Sequence, residues 1–329
     1  MTVSSCDSFP GFVDVQVNGF GGVDFSDPEL TPEAASEAFQ ALMVRGTVAF
    51  LPTVITSPLE VYRRNIPLLA DLAVSDAFAG RVLGLHLEGP FISSVPGAVG
   101  AHDPRFVRAP DVSLLDELIA LGRGTVRLLT VAAEIPGVEA LVELAVANGI
   151  AVSIGHSLFD VAMLDRMGRA GATALTHLGN GLPNLLPRHP NPIWAGLGHD
   201  GYTAMVIADG HHLPLEVLRT MVRAKGPERL IVVSDASPVA GLSPGAYDVL
   251  GNHAILEPSG RLYNPEKQCL VGSASTMLDC MNVMARLGAL SYADLLRVGL
   301  INPLRLIGMR VSDIRSDLPV MYTGDGFRC

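Results

Sequence analysis

Eight short apolar runs punctuate the chain: FVDVQVNG (12–19), VAFLPTVI (48–55), VLGLHLEG (82–89), VRLLTVAAE (126–134), AVSIGH (151–156), ALTHL (174–178), TAMVIADG (203–210) and LIVVSDA (230–236). They are rich in Val, Ile and Leu and do not alternate strictly with polar residues, the pattern of strands buried on both faces and hence of a parallel sheet. Helix-like stretches separate them. TPEAASEAFQALMVRG offers Thr31 as an N-cap, places Pro32 and Glu33 in its first turn, spaces apolar residues at helical intervals and ends at Gly46. VEALVELAVANGI and LFDVAMLDRMGRAGA follow the same plan, closing on Asn-Gly and Ala-Gly. Alternating strands and helices predict an α/β fold, specifically a (β/α)8 TIM-type barrel. A doubly wound open sheet is the alternative, because strand order is not written in the pattern.

After the eighth run the text changes. Residues 240–272 contain AGLSPGAYDVLG, NHAILEPSGRLY and QCLVGSA, a hairpin-like excursion before the helical stretch TMLDCMNVMARLGA. This segment is expected to be an elaborated last βα loop. With no linker, low-complexity tract or short repeat, residues 1–329 read as one barrel domain, a length such barrels commonly reach.

Composition narrows the function. The chain is 49% hydrophobic and 17% charged, enough apolar material for a large core. Its net charge of −10 is not offset by any basic stripe, which argues against nucleic-acid and anionic-membrane partners and favours a small-molecule substrate. The N-terminus MTVSSCDSFPGF lacks the charged start and apolar run of a secretory signal, and no window is apolar for long enough to span a bilayer, so a cytoplasmic location is expected. Cys6, Cys269, Cys280 and Cys329 are too irregularly spaced for a zinc knuckle or a disulfide framework and read as isolated thiols.

In a barrel, functional groups gather where strands end and βα loops open. The predicted third strand ends in His86 and Glu88, the fifth in His156, the sixth in His177, the seventh in Asp209 followed by His211 and His212, and the eighth in Asp235. Any one of these alone is commonly a hydrogen-bonded core residue or a helix cap. Together, at one end of five strands, they are costly to bury without a shared purpose. Glu88, His156 and His177 offer one carboxylate and two imidazoles, which suits one divalent ion, zinc by ligand type, and leaves a position for water. Asp235 beside such water can take its proton and return it to a leaving amine. His86 lies one residue pair further down its strand and is left outside the ligand set.

With these residues in view, the chain resembles the N-acetylglucosamine-6-phosphate deacetylases of the amidohydrolase superfamily. The matching blocks run in order from PGFVDVQVNGFGGVDF through GLHLEGPFI, GAHDPRFVR, VSIGHS, THLGNGLPN, IADGHHL, VSDASPVAG and VGSASTMLDC to INPLRLIGM. The resemblance implies Glu88, His156 and His177 as metal ligands and Asp235 as catalytic acid/base. It adds His102 at the acetyl carbonyl, and His212, Asn180 and Gly181 as contacts to the sugar phosphate. Arg188 falls where the family has an arginine reaching a phosphate across a dimer interface, which implies a homodimer.

Three departures qualify this. Many amidohydrolases carry His-x-His at the end of strand one for a second metal; here the stretch is Gln16-Val17-Asn18, and amides are poor zinc ligands, so a single ion is expected. The chain begins almost at strand one and has about 20 residues after INPLRLIGM, so most or all of the family's small β-sandwich is expected to be missing. The loop LPNLLPRHPNPIWAGL keeps Arg188 but carries His189, Asn191 and Trp194 in unusual places; Trp194 either packs the barrel wall or offers a sugar a stacking face. The expected activity is therefore hydrolysis of the linear amide of N-acetylglucosamine 6-phosphate to glucosamine 6-phosphate and acetate. The alternatives are the same chemistry on another N-acetyl amino sugar, phosphorylated or not, or on another N-acyl compound, and more distantly a non-catalytic sugar-binding barrel.

Overall fold

The computed structural model describes residues 7–329; Cys6 and the extreme N-terminus lie outside them. Each of the eight apolar runs contains a strand: β1 (Phe12–Val17), β2 (Thr47–Ile55), β3 (Leu85–Glu88), β4 (Val126–Val131), β5 (Ala151–Ile154), β6 (Ala174–Leu175), β7 (Thr203–Ile207) and β8 (Leu230–Val233). They are hydrogen-bonded in sequence order and all parallel, with no reversal of direction along the sheet. The return from β8 to β1 is made just beyond the strand ends, by a parallel bridge between Val17 and Ala236 in which the Asn18 amide donates to the Ala236 carbonyl at 2.8 Å. The eight strands therefore form a nearly closed TIM-type barrel rather than an open doubly wound sheet. Burial on both faces is why the runs do not alternate: every residue of β1 and of β2 is buried.

The first helix between strands begins where the sequence indicates, and others are capped in the same way. The Thr31 side chain accepts from the Ala34 amide to cap α1 (Pro32–Met43). After α2 (Leu59–Val74), Asp111 caps α3 (Val112–Leu121); then, beyond α4 (Val138–Ala147), Asp160 caps α5 (Val161–Ala170). The short α6 (Pro192–Gly198) follows β6, and α7 (Leu215–Lys225) follows β7.

Between β8 and α8 (Met277–Leu287) the chain forms a four-stranded antiparallel sheet of β9 (Gly245–Val249), β10 (Asn252–Leu256), β11 (Leu262–Asn264) and β12 (Cys269–Leu270). Its strands pack over a small apolar cluster of their own, which includes Val249, Ala254, Leu256 and Leu262. Outside the barrel, the strand Asp7–Phe9 pairs with Val320–Tyr322, which in turn pairs with Phe327–Arg328. Phe9, Phe12 and Phe327 meet edge to face there, with centroids 4.8–5.7 Å apart, and anchor this sheet at the N-terminal end of β1. Among the described residues no helix is long and apolar enough to cross a membrane.

Candidate active site

The strand ends bring the chemistry together. Glu88 is the last residue of β3, while His156, His177 and Asp235 each stand two residues beyond the end of β5, β6 and β8. All three of these lie in the left-handed backbone region, with φ of 47°, 29° and 50°. For residues other than glycine this costs of order 1–3 kcal/mol each, and it persists only where the surroundings over-determine it. These turns set all three residues at one end of the barrel, where they line a common cavity.

One ligand atom from each of Glu88, His156 and His177 lies within 4.8 Å of the others, and all three residues are buried. Glu88 Oε1 is 3.0 Å from His177 Nε2 and 3.4 Å from His156 Nε2. His156 Nδ1 sits 2.8 Å from the Ala98 carbonyl, which can only accept, so Nδ1 carries the proton and Nε2 turns a lone pair to the cluster. Two glycines make room for that ring: a Cβ on Gly181 would lie 2.8 Å from His156 Nδ1, and one on Gly100 would lie 3.0 Å from Cε1. Convergent lone pairs with the proton turned outward are the donor set a divalent cation fits. His102, on the loop after β3, brings its Nε2 to 3.2 Å from that of His156 and is also buried.

Gln16 and Asn18 stand where a second pair of imidazoles would bind a second metal, but they act as donors. Gln16 Nε2 reaches Glu88 Oε1 (2.9 Å) and Asp235 Oδ1 (3.1 Å), while Asn18 Nδ2 donates to the same Asp235 oxygen at 2.8 Å. One oxygen of Asp235 is thus held and the other is left for chemistry. Burial, reinforced by the negative charge of Glu88, raises the Asp235 pKa above the ordinary carboxylate value. Burial also acts on Glu88, but the His156 and His177 rings beside it outweigh it and hold that carboxyl well below its usual range. Burial, with the neighbouring His156, lowers His102 to about 3, so its ring is neutral.

A cavity of about 320 Å³ opens above this cluster. Asn180, Gly181 and His212 line it, as do Glu88, His102, His156, His177 and Asp235. Asp209 holds His212 in place: its Oδ2 is 2.7 Å from His212 Nδ1, and its Oδ1 accepts from the backbone amides of His211 and His212. His86 lies lower in the barrel, between Thr53 (3.3 Å) and Thr130 (2.8 Å), a buried strut that burial pushes down to about 4.

Two residues of the loop after β6 stand away from the cavity of their own chain. Arg188 is exposed and does not line it. Trp194 on α6 is 56% exposed, so it neither packs into the barrel wall nor faces the cavity; the N-cap at Asn191 turns the helix so that Pro192, Ala195 and Gly196 are buried instead. Conversely, Leu250, Arg261, Tyr263, Gln268 and Cys269 line the cavity from the four-stranded sheet, a segment that in sequence reads only as loop elaboration. The period of two in Arg261-Leu262-Tyr263 was the available signal: the outer pair faces the cavity and Leu262 faces the small core.

No protein-family model matches the chain. Among proteins of known function, the N-acetylglucosamine-6-phosphate deacetylase of Bos taurus is 34% identical over 316 residues, covering 92% of this chain and 75% of that protein. The N-acetylgalactosamine-6-phosphate deacetylase of Escherichia coli O157:H7 is 28% identical over 91% of this chain and 78% of its own length. Among solved structures, an Asp-to-Ala variant of the Mycobacterium smegmatis N-acetyl-D-glucosamine-6-phosphate deacetylase, in complex with N-acetyl-D-glucosamine-6-phosphate, superposes with a TM-score of 0.88 at 26% identity, over 99% of this chain and 85% of that one.

Proposed function

The chain belongs to the N-acetylglucosamine-6-phosphate deacetylase family, and on that premise we propose how its own residues hydrolyse the acetamide of N-acetylglucosamine 6-phosphate to acetate and glucosamine 6-phosphate. The observation that carries the reading is the convergence of Glu88, His156 and His177 within 4.8 Å, with His102 and Asp235 beside them in one cavity.

Glu88, His156 and His177 would hold one divalent ion, zinc by the chemistry of one carboxylate and two imidazoles. When bound, such an ion polarises the acetyl carbonyl and acidifies water. The chain does the rest. Neutral His102 donates a hydrogen bond to the acetyl oxygen as negative charge develops there. Asp235, one oxygen fixed by Gln16 and Asn18, accepts the proton of the attacking water with the other. It then passes that proton to the amide nitrogen, so the sugar leaves as an amine. His212, braced by Asp209, and the Asn180-Gly181 turn hold the sugar phosphate.

The same proposal takes the protein as a homodimer in which Arg188 reaches the partner's cavity. Its support is the loop itself, where Leu185 and Trp194 are exposed beside Arg188 and bury apolar surface only if another surface covers them. It also places catalysis wholly within the barrel, since every residue of the cluster comes from barrel strands and the loops that follow them.

A second reading, the same chemistry on the galacto epimer, is favoured by the Escherichia coli relative. The test is acetate release from N-acetylglucosamine 6-phosphate, N-acetylgalactosamine 6-phosphate and unphosphorylated N-acetylglucosamine, on protein whose metal has been counted. Preference for the first with about one ion per chain is expected. Preference for the second moves the epimer, and turnover of none of the three overturns the reading.

A further inference from the structure

Among the described residues lining the cavity, Arg261 is the only lysine or arginine. It sits just before β11, directly after the turn Glu257-Pro258-Ser259-Gly260 that closes the hairpin of β10 and β11. That turn is fixed to the strand-seven loop, because His211 Nε2 lies 3.0 Å from the Ser259 carbonyl and donates to it. The hairpin therefore reaches the side of the cavity where His212 stands, next in sequence to His211. Arg261 and Tyr263 share one face of the strand, and the guanidinium carbon lies 4.0 Å from the centroid of the Tyr263 ring. Its Nη1 is 3.0 Å from Glu257 Oε1. A guanidinium resting on an aromatic ring, tied on one edge to a carboxylate, is ordered before any ligand arrives and keeps donors free for a planar or tetrahedral oxyanion.

We propose that Arg261, seated on Tyr263, is the cation by which each chain recognises the phosphate of its own substrate, so that this excursion from the last barrel strand makes the enzyme selective for phosphorylated amino sugars. The inference rests on the reading of the cavity as a deacetylase site and deepens it. Arg188 of the same chain does not line the cavity, so among the described residues Arg261 is the permanent positive charge that the cavity's own lining offers a phosphate. Glu257 competes with the ligand for the guanidinium and sets how much of that charge the ligand feels.

The experiment compares wild type with Arg261→Gln, Tyr263→Leu and Glu257→Gln, measuring kcat and KM for N-acetylglucosamine 6-phosphate and kcat/KM for unphosphorylated N-acetylglucosamine. Arg261→Gln is expected to raise KM for the phosphate ester about 10- to 100-fold, the loss of a charged hydrogen bond, with kcat within about threefold and the unphosphorylated sugar unaffected. Tyr263→Leu shifts KM the same way by less, and Glu257→Gln lowers it. An unchanged KM in Arg261→Gln, or an equal loss on both sugars, overturns the proposal while leaving the deacetylase reading intact. Wild type that turns over neither these sugars nor N-acetylgalactosamine 6-phosphate, or only the unphosphorylated one, overturns both.

Discussion

The Nε2 atoms of His156 and His177 lie 3.1 Å apart, with their rings nearly perpendicular at 89°. Two imidazole nitrogens this close cannot both carry protons, and Glu88 Oε1 stands within 3.4 Å of each. The arrangement is stable when a positive charge is shared among them, and the expected behaviour of several variants follows from that.

His177→Ala removes one corner of the triangle and leaves the buried carboxylate of Glu88 short of a partner. Elemental analysis of the purified variant is expected to find well under one metal ion per chain, against about one for wild type. Wild type stripped by a chelator should lose turnover in parallel and regain it with zinc. Full metal content in the variant would remove His177 from the ligand set.

Asp235→Asn keeps an acceptor for Gln16 and Asn18 but has no carboxylate to carry a proton. Turnover should fall about 10²- to 10⁴-fold with metal content unchanged. Near-normal turnover would take the acid/base role away from Asp235.

Gly181→Ala places a methyl group 2.8 Å from His156 Nδ1, at a backbone φ of +60° that also disfavours a side chain. The ring must move off the Ala98 carbonyl, so metal affinity, measured by chelator competition, is expected to fall about 10- to 100-fold. Unaltered affinity would show that His156 is not held where it stands by this contact.

Asp14, buried in β1, accepts from the Ser234 hydroxyl and backbone amide; burial pushes its carboxyl up to about 7, an effect those hydrogen bonds only partly offset. A carboxyl raised in the folded state contributes stability that is complete below its unfolded pKa, near about 4, and is lost as pH rises through about 7. Asp14→Asn holds the neutral form at every pH. Its melting temperature relative to wild type should therefore climb between pH 5 and pH 8, and a constant difference across that range would contradict the assignment.

Much of this was legible because the barrel repeats one rule. A strand buried on both faces must read as a Val, Ile and Leu run, and a capping residue such as Thr31 marks where a helix begins. A polar residue placed at the end of such a run has one place to go, so Glu88, His156, His177 and Asp235 could be gathered before their distances were known.

What the pattern did not carry was everything that depends on closure and on the path of loops. Gln16 and Asn18 look like missing ligands in sequence; the return of β8 to β1 makes them the donors that fix one oxygen of Asp235. Trp194 reads as a wall or platform residue until Asn191 sets the rotation of α6 and turns it outward. Arg261 lies 26 residues beyond Asp235 in the chain, and only the folding of the four-stranded sheet onto His211 brings it to the cavity. Local periodicity, set by burial, determined which elements form and which ends bear chemistry. Which groups touch was decided by long-range pairing, since hydrogen bonds and charges act over a few ångströms of space whatever the distance along the chain.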